Sequence, residues 1–127
     1  LVRRICKHCK IEDEDISRRV RAEIAESNDL APEDVKAWKG RGCIECDHSG
    51  YRGRVAIYEF FLLDDEIQDM VADHVGTSEL RKAAIERGMK VLRQDGWLKV
   101  AQGVTTIDEI QRITSNFEIS YDIDEDA

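Results

Sequence analysis

The spacing of hydrophobic residues predicts a helix in the first third of the chain. Ile16, Val20 and Ile24 recur at every fourth position, which places their side chains on one face of a helix. A second, shorter helix is expected over 31–35, because Pro32 and the acids after it suit the first turn of a helix. The first third is therefore predicted to be largely helical.

Residues 51–63 have a different pattern, which predicts a strand. Val55, Ile57 and Phe61 would face one side of this strand, and Ala56, Tyr58 and Phe60 would face the other. A strand that is apolar on both faces is typical of a sheet covered on both sides. No second segment of the sequence has this character, so we expect residues 51–63 to return to a core sheet that lies outside this chain.

The pattern after this strand is helical and predicts a small lobe over 64–115. Four helices are expected, with apolar stripes formed by Leu63, Ile67, Met70 and Val71; by Leu80, Ala83 and Ala84; by Leu92, Leu98 and Ala101; and by Ile107, Ile110 and Ile113. Asp64 or Asp65 can cap the first of these helices. Thr106 and Glu109 have the spacing of a capping box at the start of the fourth.

The composition is that of a small, acidic chain. Its 127 residues make one domain or two small lobes, and its formal charge of −8 disfavours binding to nucleic acid. No apolar run approaches the roughly 20 residues of a membrane-spanning helix, and no targeting segment is visible. Residues 116–127 are rich in acids and are expected to form a disordered tail. Because the chain begins with Leu1 and not methionine, we expect it to be a piece of a larger protein.

Four cysteines in two C-x-x-C pairs indicate a metal site. The predicted ligands are Cys6, Cys9, Cys43 and Cys46. Four thiolates that converge from two tight turns suit tetrahedral zinc with no open position. The 33 residues between the pairs exceed the usual spacing of roughly 15–20, and we attribute the excess to a helical insertion. The predicted fold class is thus mainly α with a small β component: a four-cysteine zinc knob over 1–50, a strand, and a small helical lobe.

Other uses of the cysteines stay open from the residues alone. Disulfides or a redox pair need an oxidising compartment or a thioredoxin-like context, and neither is indicated. Four thiolates can also hold an iron–sulfur cluster, but the flanking residues do not favour one. His8 and His48 lie inside and just after the pairs. We expect these histidines at the surface or behind the ligands.

No catalytic machinery is predicted in this chain. Residues 60–65 imitate the Walker B motif, an apolar strand that ends in an acid. However, the phosphate-binding pattern G-x-x-x-x-G-K-[ST] does not occur, and the acids are explained more simply as a helix cap. Four thiolates also leave no position for a metal-activated water. We therefore expect the chain alone to be inactive.

Three segments carry the most specific motifs of the sequence. They are residues 1–9, LVRRICKHC; residues 42–59, GCIECDHSGYRGRVAIYE; and a helical set made of Gly88-Met89, Asp95-Gly96 and residues 103–110, GVTTIDEI. In this order they resemble the C-terminal third of the hexameric ATPases of type II secretion and type IV pilus assembly. The similarity extends from Leu1 to about Thr114.

The resemblance implies a division of labour. An upstream RecA-like core would bind and hydrolyse ATP through a P-loop, the zinc knob would emerge from that core, and the strand over 51–63 would return to it. This chain would be the structural zinc-binding and partner-coupling region of the ATPase, cytoplasmic and peripheral to the inner membrane through partners. The implied partners are neighbouring subunits of the hexamer and an inner-membrane assembly-platform protein, with no nucleic acid and no membrane insertion.

Two other classes of function compete with this interpretation. One is a stand-alone zinc-knuckle module for protein interaction, and the other is a thiol redox protein that uses the C-x-x-C pairs. One zinc ion per chain with no free thiol would exclude the redox protein. Arg52 and Arg54 could reach a phosphate across a subunit boundary, although a role in the turn or in an ion pair is favoured.

Overall fold

The computed structural model describes residues 1–59 and 61–114. Its strands are β1 (Val2–Ile5), β2 (Lys10–Glu12), β3 (Trp38–Gly40) and β4 (Tyr51–Val55), and its helices are α1 (Arg18–Ser27), α2 (Asp65–Ala72), α3 (Thr77–Glu86), α4 (Leu92–Ala101) and α5 (107–114). Short 3-10 turns cover Pro32–Asp34 and Ile44–Cys46. The predicted fold class is confirmed. None of the described helices is long and apolar enough to cross a bilayer.

The strands form two antiparallel pairs that carry the cysteines. β1 pairs with β4, so that Val2 lies opposite Val55, with a bulge between Arg3 and Ile5. β2 pairs with β3 and continues the chain from the first cysteine pair. Each ribbon therefore joins a segment near the start of the chain to a segment near its middle.

The strand predicted over 51–63 is shorter than expected and has a partner within the chain. It ends at Val55, and residues 56–59 and 61–63 belong to no strand. Its partner β1 has four residues, of which only Val2 and Ile5 are buried. Such a short element gives too few positions for a periodic signal, so the sequence did not reveal it. A further sheet outside this chain stays a prediction.

Helix α1 agrees with the prediction from its apolar spacing. The hydroxyl of Ser17 accepts a hydrogen bond from the amide of Val20 at 3.2 Å and caps the first turn. Val20, Ile24 and Ala25 are buried on the inner face. The second helix expected over 31–35 is only the single 3-10 turn that begins at Pro32, because three residues are too few for an α-helix.

The hydrophobic core crosses the predicted boundary between residues 1–50 and 64–115. It consists of Val2, Val20, Ile24, Ala25, Val35, Ala37, Trp97, Val100, Ile107 and Ile110. Helices α4 and α5 thus pack against α1 and β1, whereas α2 and α3 pack against each other. The last two helices therefore share a hydrophobic core with residues of the range 1–50, and the division of the chain into a zinc region and a helical lobe stays a prediction.

The buried face of α4 is also different from the predicted stripe. Trp97 and Val100 are 1% and 0% exposed, whereas Leu98 is 36% exposed. The indole of Trp97 donates to the carboxylate of Glu23 at 3.1 Å, and Arg93 donates to the same oxygen at 2.5 Å. Arg93 is itself buried, and a buried charge requires such a partner. This cluster fastens α4 to α1.

Candidate metal centre

The two cysteine pairs lie at the ends of the two ribbons. Cys6 and Cys9 occupy the turn between β1 and β2, and Cys43 and Cys46 occupy the 3-10 turn between β3 and β4. The amide of Cys6 donates to the carbonyl of Gly50 at 3.0 Å, so the two turns are hydrogen-bonded to each other. Antiparallel pairing therefore brings Cys6 next to Cys43 and Cys9 next to Cys46, although the two members of each pair are 37 residues apart along the chain.

The four sulfur atoms have the separations of a tetrahedral site. Sγ of Cys6 lies 3.8 Å from Sγ of Cys43, and Sγ of Cys9 lies 3.8 Å from Sγ of Cys46. Cys43 and Cys46 are 3.7 Å apart, and the ligand atoms of all four lie within 4.8 Å of one another. Zinc–sulfur bonds of about 2.3 Å place tetrahedral sulfurs about 3.8 Å apart. No cysteine is in a disulfide, so the geometry suits one ion held by four thiolates.

Backbone amides surround the sulfurs. Sγ of Cys46 accepts hydrogen bonds from the amides of Cys43 and Gly50, both at 3.2 Å, and Sγ of Cys9 accepts one from Gly42 at 3.3 Å. Burial would raise the pKa of Cys46, but the hydrogen bonds from the amides of Cys43 and Gly50, together with the neighbouring thiols, lower this pKa to about 6. Burial, together with the adjacent thiols, raises the pKa of Cys9 to about 11. A divalent cation between the sulfurs would favour the thiolate at every position.

The histidines lie outside this cluster. His8 and His48 are exposed, and the metal-ligand group found among the described residues contains the four cysteines without either of them. His48 has a left-handed backbone with φ of 63°, which carries the chain from the second pair towards β4. The site is therefore closed by sulfur, which suits a structural ion and leaves no position for a reacting water.

Two glycines hold the second cysteine turn against β3. A Cβ atom added at Gly40 would lie 2.1 Å from the carbonyl oxygen of Gly50, and one added at Gly50 would lie 2.8 Å from that of Gly40. Gly50 also has φ of 83°, a conformation that other residues rarely adopt. This close approach of two backbones sets the distance between the ribbon and the cysteines.

A network of polar groups ties the first ribbon to α5. Glu109 is 1% exposed at its side chain, and its carboxylate accepts from the amide of Arg3 at 2.9 Å and from the guanidinium of Arg3 at 2.8 Å. Arg112 donates to the same carboxylate at 3.0 Å. The guanidinium of Arg3 also lies 4.0 Å from the centre of the Tyr51 ring, and the hydroxyl of Tyr51 lies 2.7 Å from that of Thr106.

This network brings residues from three distant segments of the chain into contact. It joins residues 1–9, 42–59 and 103–110, the segments that carry the most specific motifs of the sequence. The spacing of Thr106 and Glu109 predicted a capping box, and half of it is present. The hydroxyl of Thr106 accepts from the amide of Glu109 at 3.1 Å, but the carboxylate of Glu109 binds Arg3 instead of the helix start. No local pattern could have indicated this long-range pairing.

Replacement of Glu109 by glutamine is expected to destabilise the chain and to flatten its acid dependence. Burial opposes ionisation, but hydrogen bonds from Arg3 and Arg112 lower the pKa of Glu109 to about 2 from the ordinary 4.5. Stability from this carboxylate is therefore complete above about pH 4.5 and is lost as the pH falls towards 2. At about 1.4 kcal/mol per unit, the loss is about 3 kcal/mol.

This prediction is tested by urea unfolding of the wild-type chain and of the Glu109→Gln chain at a series of pH values from neutral to acid. The difference between the two unfolding free energies should be largest near neutrality and should shrink below about pH 4.5. Glu86→Gln, on the exposed end of α3, is the matched control and should change stability by less than about 0.5 kcal/mol. Equal losses for Glu86→Gln and Glu109→Gln would contradict the assignment.

The remaining predicted residues are also located by the structure. Asp64, in the Walker-like segment, accepts from the amide of Ile67 at 2.8 Å and caps α2, so the simpler interpretation of these acids is confirmed. Arg52 lies 3.5 Å from Glu45, and both side chains are largely exposed. Arg54 lies on the exposed part of β4. Neither arginine belongs to the sulfur cluster.

Comparison with known proteins gives a consistent result. The model of the family described as type II/IV secretion system protein matches residues 1–112. The type IV pilus assembly ATPase PilB of Thermus thermophilus is 40% identical over 113 residues, and the type II secretion system protein HxcR of Pseudomonas aeruginosa is 36% identical over 114 residues. The type II secretion system ATPase E of Vibrio cholerae is 34% identical over 114 residues.

These matches cover most of this chain and a small part of each relative. They include 87%, 90% and 90% of the chain, but only 12%, 20% and 22% of PilB, HxcR and ATPase E. The matched region contains all four cysteines and the network around Glu109. The chain therefore belongs to the type II/IV secretion system protein family.

Proposed function

We propose that this chain is the structural zinc-binding and partner-coupling region of a hexameric secretion or pilus-assembly ATPase. In this proposal a part of the protein outside the chain, upstream of it, binds and hydrolyses ATP. The ligands of the zinc ion are Cys6, Cys9, Cys43 and Cys46. The observation that carries the proposal is the tetrahedral spacing of their sulfurs in a chain of this family.

The zinc ion would fix the shape of the knob. When bound, it supplies a closed tetrahedral crosslink between the turn that follows β1 and the turn that precedes β4. Few residues near these turns are buried: the side chains of Lys7, His8, Ile44 and Glu45 are all exposed. Apolar packing alone would therefore hold the turns weakly, and the metal would replace it.

The knob is also mechanically connected to the rest of the chain. β1 leads directly into the first cysteine pair, and Arg3 within it is bound to the buried carboxylate of Glu109. A displacement of the core would thus move the knob as one body, which supports a role in passing motion to a partner. Neighbouring subunits and an inner-membrane assembly-platform protein are the partners in this proposal. The protein would be cytoplasmic and held at the membrane by them.

A metal and nucleotide assay of the purified chain tests the proposal. We expect one zinc ion per chain by elemental analysis and no thiol that reacts with a colorimetric reagent until the zinc is removed. We also expect no binding of ATP at about 1 mM, because the sequence has no phosphate-binding loop.

Each outcome of this assay has a definite meaning. A metal-free chain with a reversible Cys43–Cys46 disulfide would contradict the proposal and favour the redox protein. Tight binding of ATP by the chain alone would contradict the placement of the nucleotide site outside it. A Cys6→Ser and Cys43→Ser chain serves as the control that lacks the tetrahedral site.

A further inference from the structure

The charges of this chain are separated in space. Residues 1–10 and 36–54, which contain both cysteine turns, β1, β3 and most of β4, include nine lysine and arginine residues and only two acids, Glu45 and Asp47; Glu12, at the end of β2, lies outside these ranges. Their formal charge is +7 within a chain of −8, so the remainder carries −15. The cysteine end of the molecule is therefore cationic, and the other described residues, 11–35, 55–59 and 61–114, have 20 acids against 10 basic residues, a formal charge of −10.

An exposed apolar side chain projects from the cationic end. Ile44 lies between two cysteines of the second pair and is 85% exposed. Two clefts of about 320 and 290 Å³ lie nearby, and both are lined by His8 and by basic residues. We call the set Arg4, Lys7, His8, Arg41, Ile44 and Arg52 the knob tip.

The cations of the knob tip are largely unsatisfied. Arg4, Lys7 and Arg41 form no ion pair with any residue in 1–59 or 61–114, and the pair between Arg52 and Glu45 is long and solvent-exposed. An isolated exposed pair of this kind contributes little. An apolar side chain surrounded by unpaired cations is typical of a surface that binds an acidic partner with an apolar hollow.

The same chain has a cleft with these properties. It has a volume of about 260 Å³, and its apolar lining consists of Ile16 and the exposed edges of Val20 and Ile107, two core residues that are each 8% exposed. Asp13, Asp15 and Asp108 also line it. None of these three carboxylates forms an ion pair with a described residue. We call this set the acidic cleft.

We propose that the knob tip of one copy of this chain docks into the acidic cleft of a second copy. Ile44 would cover the apolar lining of the cleft, and Lys7, Arg41 and Arg52 would face its carboxylates. The inference rests on the proposed coupling role of the knob and names the surfaces through which neighbouring subunits touch. It requires a folded knob, but it requires no ATP.

The contact would be head-to-tail. Strand β2, Lys10–Glu12, lies between the first cysteine turn and Asp13, and the knob tip and the acidic cleft share no residue. One copy can therefore use both surfaces at once, each with a different neighbour. Such heterologous contacts close into rings or continue as filaments, in contrast to the symmetric contact of a simple dimer.

Other anionic occupants fit the knob tip less well. Arg3 and Lys10 each lie over one face of the nearby Tyr51 and Trp38 rings, and both rings are half-buried, which leaves less aromatic surface for stacking on a nucleic-acid base. The formal charge of −10 on the other described residues opposes the approach of an anionic membrane. A second copy instead presents its acidic surface to the cations.

A mixing experiment with two variants tests the head-to-tail contact. The tip variant carries Ile44→Asp and Arg52→Glu, and the cleft variant carries Asp15→Lys and Asp108→Lys. In sedimentation velocity at about 50 mM salt and up to about 500 µM chain, we expect the wild type to associate and each variant alone to be monomeric. The equimolar mixture should form heterodimers, because the intact tip of the cleft variant fits the intact cleft of the tip variant, and the two mutated surfaces also carry opposite charges.

Matched controls change the charge by the same amount elsewhere. Ile85→Asp with Lys82→Glu on α3, and Asp69→Lys with Glu79→Lys on α2 and α3, should associate like the wild type. Raising the salt to about 500 mM should weaken wild-type association at least roughly tenfold. A wild type that stays monomeric, or a mixture without heterodimer, would overturn the inference. Binding of the wild type to phosphatidylglycerol vesicles without self-association would also overturn it, in favour of a membrane surface.

Zinc content and protease resistance are measured on the same samples. A chain with one zinc ion that remains monomeric would remove this inference and leave the proposed function intact. A chain without zinc would contradict the proposed function first. The two failures are therefore distinguishable.

Discussion

Removal of the metal ion is expected to unfold residues 1–50 before the rest of the described chain. Binding of structural zinc contributes roughly 10–16 kcal/mol in small zinc peptides, which is comparable to the roughly 5–15 kcal/mol stability of a whole domain. If the ion is removed, no metal–sulfur bond keeps the four sulfurs at their separation of about 3.8 Å. The knob is therefore the part of the chain that depends most on the metal.

The shared core determines how far this unfolding spreads. Trp97 of α4 packs in one core with residues of α1 and β1, so loss of the knob should loosen α4 and α5 as well. Helices α2 and α3 pack against each other and should keep their structure longer. Circular dichroism, limited proteolysis and tryptophan fluorescence after treatment with a chelator measure this order, and a Trp38→Phe chain assigns the emission to Trp97. An unchanged spectrum and an unchanged digest after complete metal removal would contradict the prediction.

Two sets of variants separate the ligands from their neighbours. Cys46→Ser should reproduce the chelated state without a chelator, since three thiolates cannot close the site. A chain with His8→Ala and His48→Asn should still bind one zinc ion and unfold at the wild-type temperature, because neither imidazole belongs to the sulfur cluster. Asparagine is chosen at position 48 because it tolerates the left-handed backbone there. Loss of zinc from this double variant would mean that the ligand set is wrong.

Among the substitutions of glycine by alanine beside the cysteine site, Gly40→Ala is expected to destabilise the chain most. The new Cβ would lie 2.1 Å from the carbonyl oxygen of Gly50 and 2.6 Å from its Cα. These are backbone atoms, so no side chain can rotate away to relieve the overlap. β3 and the second cysteine turn would have to separate, and the amide of Gly50 would move from Sγ of Cys46.

The expected cost of Gly40→Ala is about 3 kcal/mol or more, at the upper end of overpacking effects. Denaturant unfolding measures it, and the rate of zinc transfer to a coloured chelator should rise in parallel. Gly76→Ala is the matched control, because a Cβ there meets no atom within 4 Å. Because Gly76 is the N-cap of α3, where glycine is preferred to alanine, the change should cost no more than about 1 kcal/mol. If Gly40→Ala were as mild as Gly76→Ala, the close approach of the two backbones would be wrong.

The candidate site was largely predictable because its chemistry is local. Each C-x-x-C pair forms within one turn, and two pairs are enough to predict a tetrahedral set of thiolates. The same holds for the caps: Asp64 bonds to an amide three residues later, as the sequence predicts. The positions of α1, α2 and α3 likewise follow from apolar spacing and from residues that stop a helix.

Apart from the helix expected over 31–35, which is a single 3-10 turn, the errors concern contacts between distant residues. The strand predicted over 51–63 ends at Val55, where its pairing with β1 ends. The stripe predicted on α4 included Leu98, whereas Trp97 is the buried residue because it faces α1. Apolar residues surround much of this helix, so counting them along the sequence cannot identify the face that meets a partner.

The sequence by itself determined the helices that have regular apolar spacing, the two cysteine turns and the type of ion that they suit. These features depend on residues within one or two turns of each other, where backbone geometry fixes which side chains meet. Only the tertiary structure decided that β1 pairs with β4, that α4 and α5 complete the core of the knob region, and that Arg3 is the partner of Glu109, 106 residues away. Such contacts depend on how whole strands and helices pack against each other, and the spacing of residues along the chain does not indicate which elements will meet.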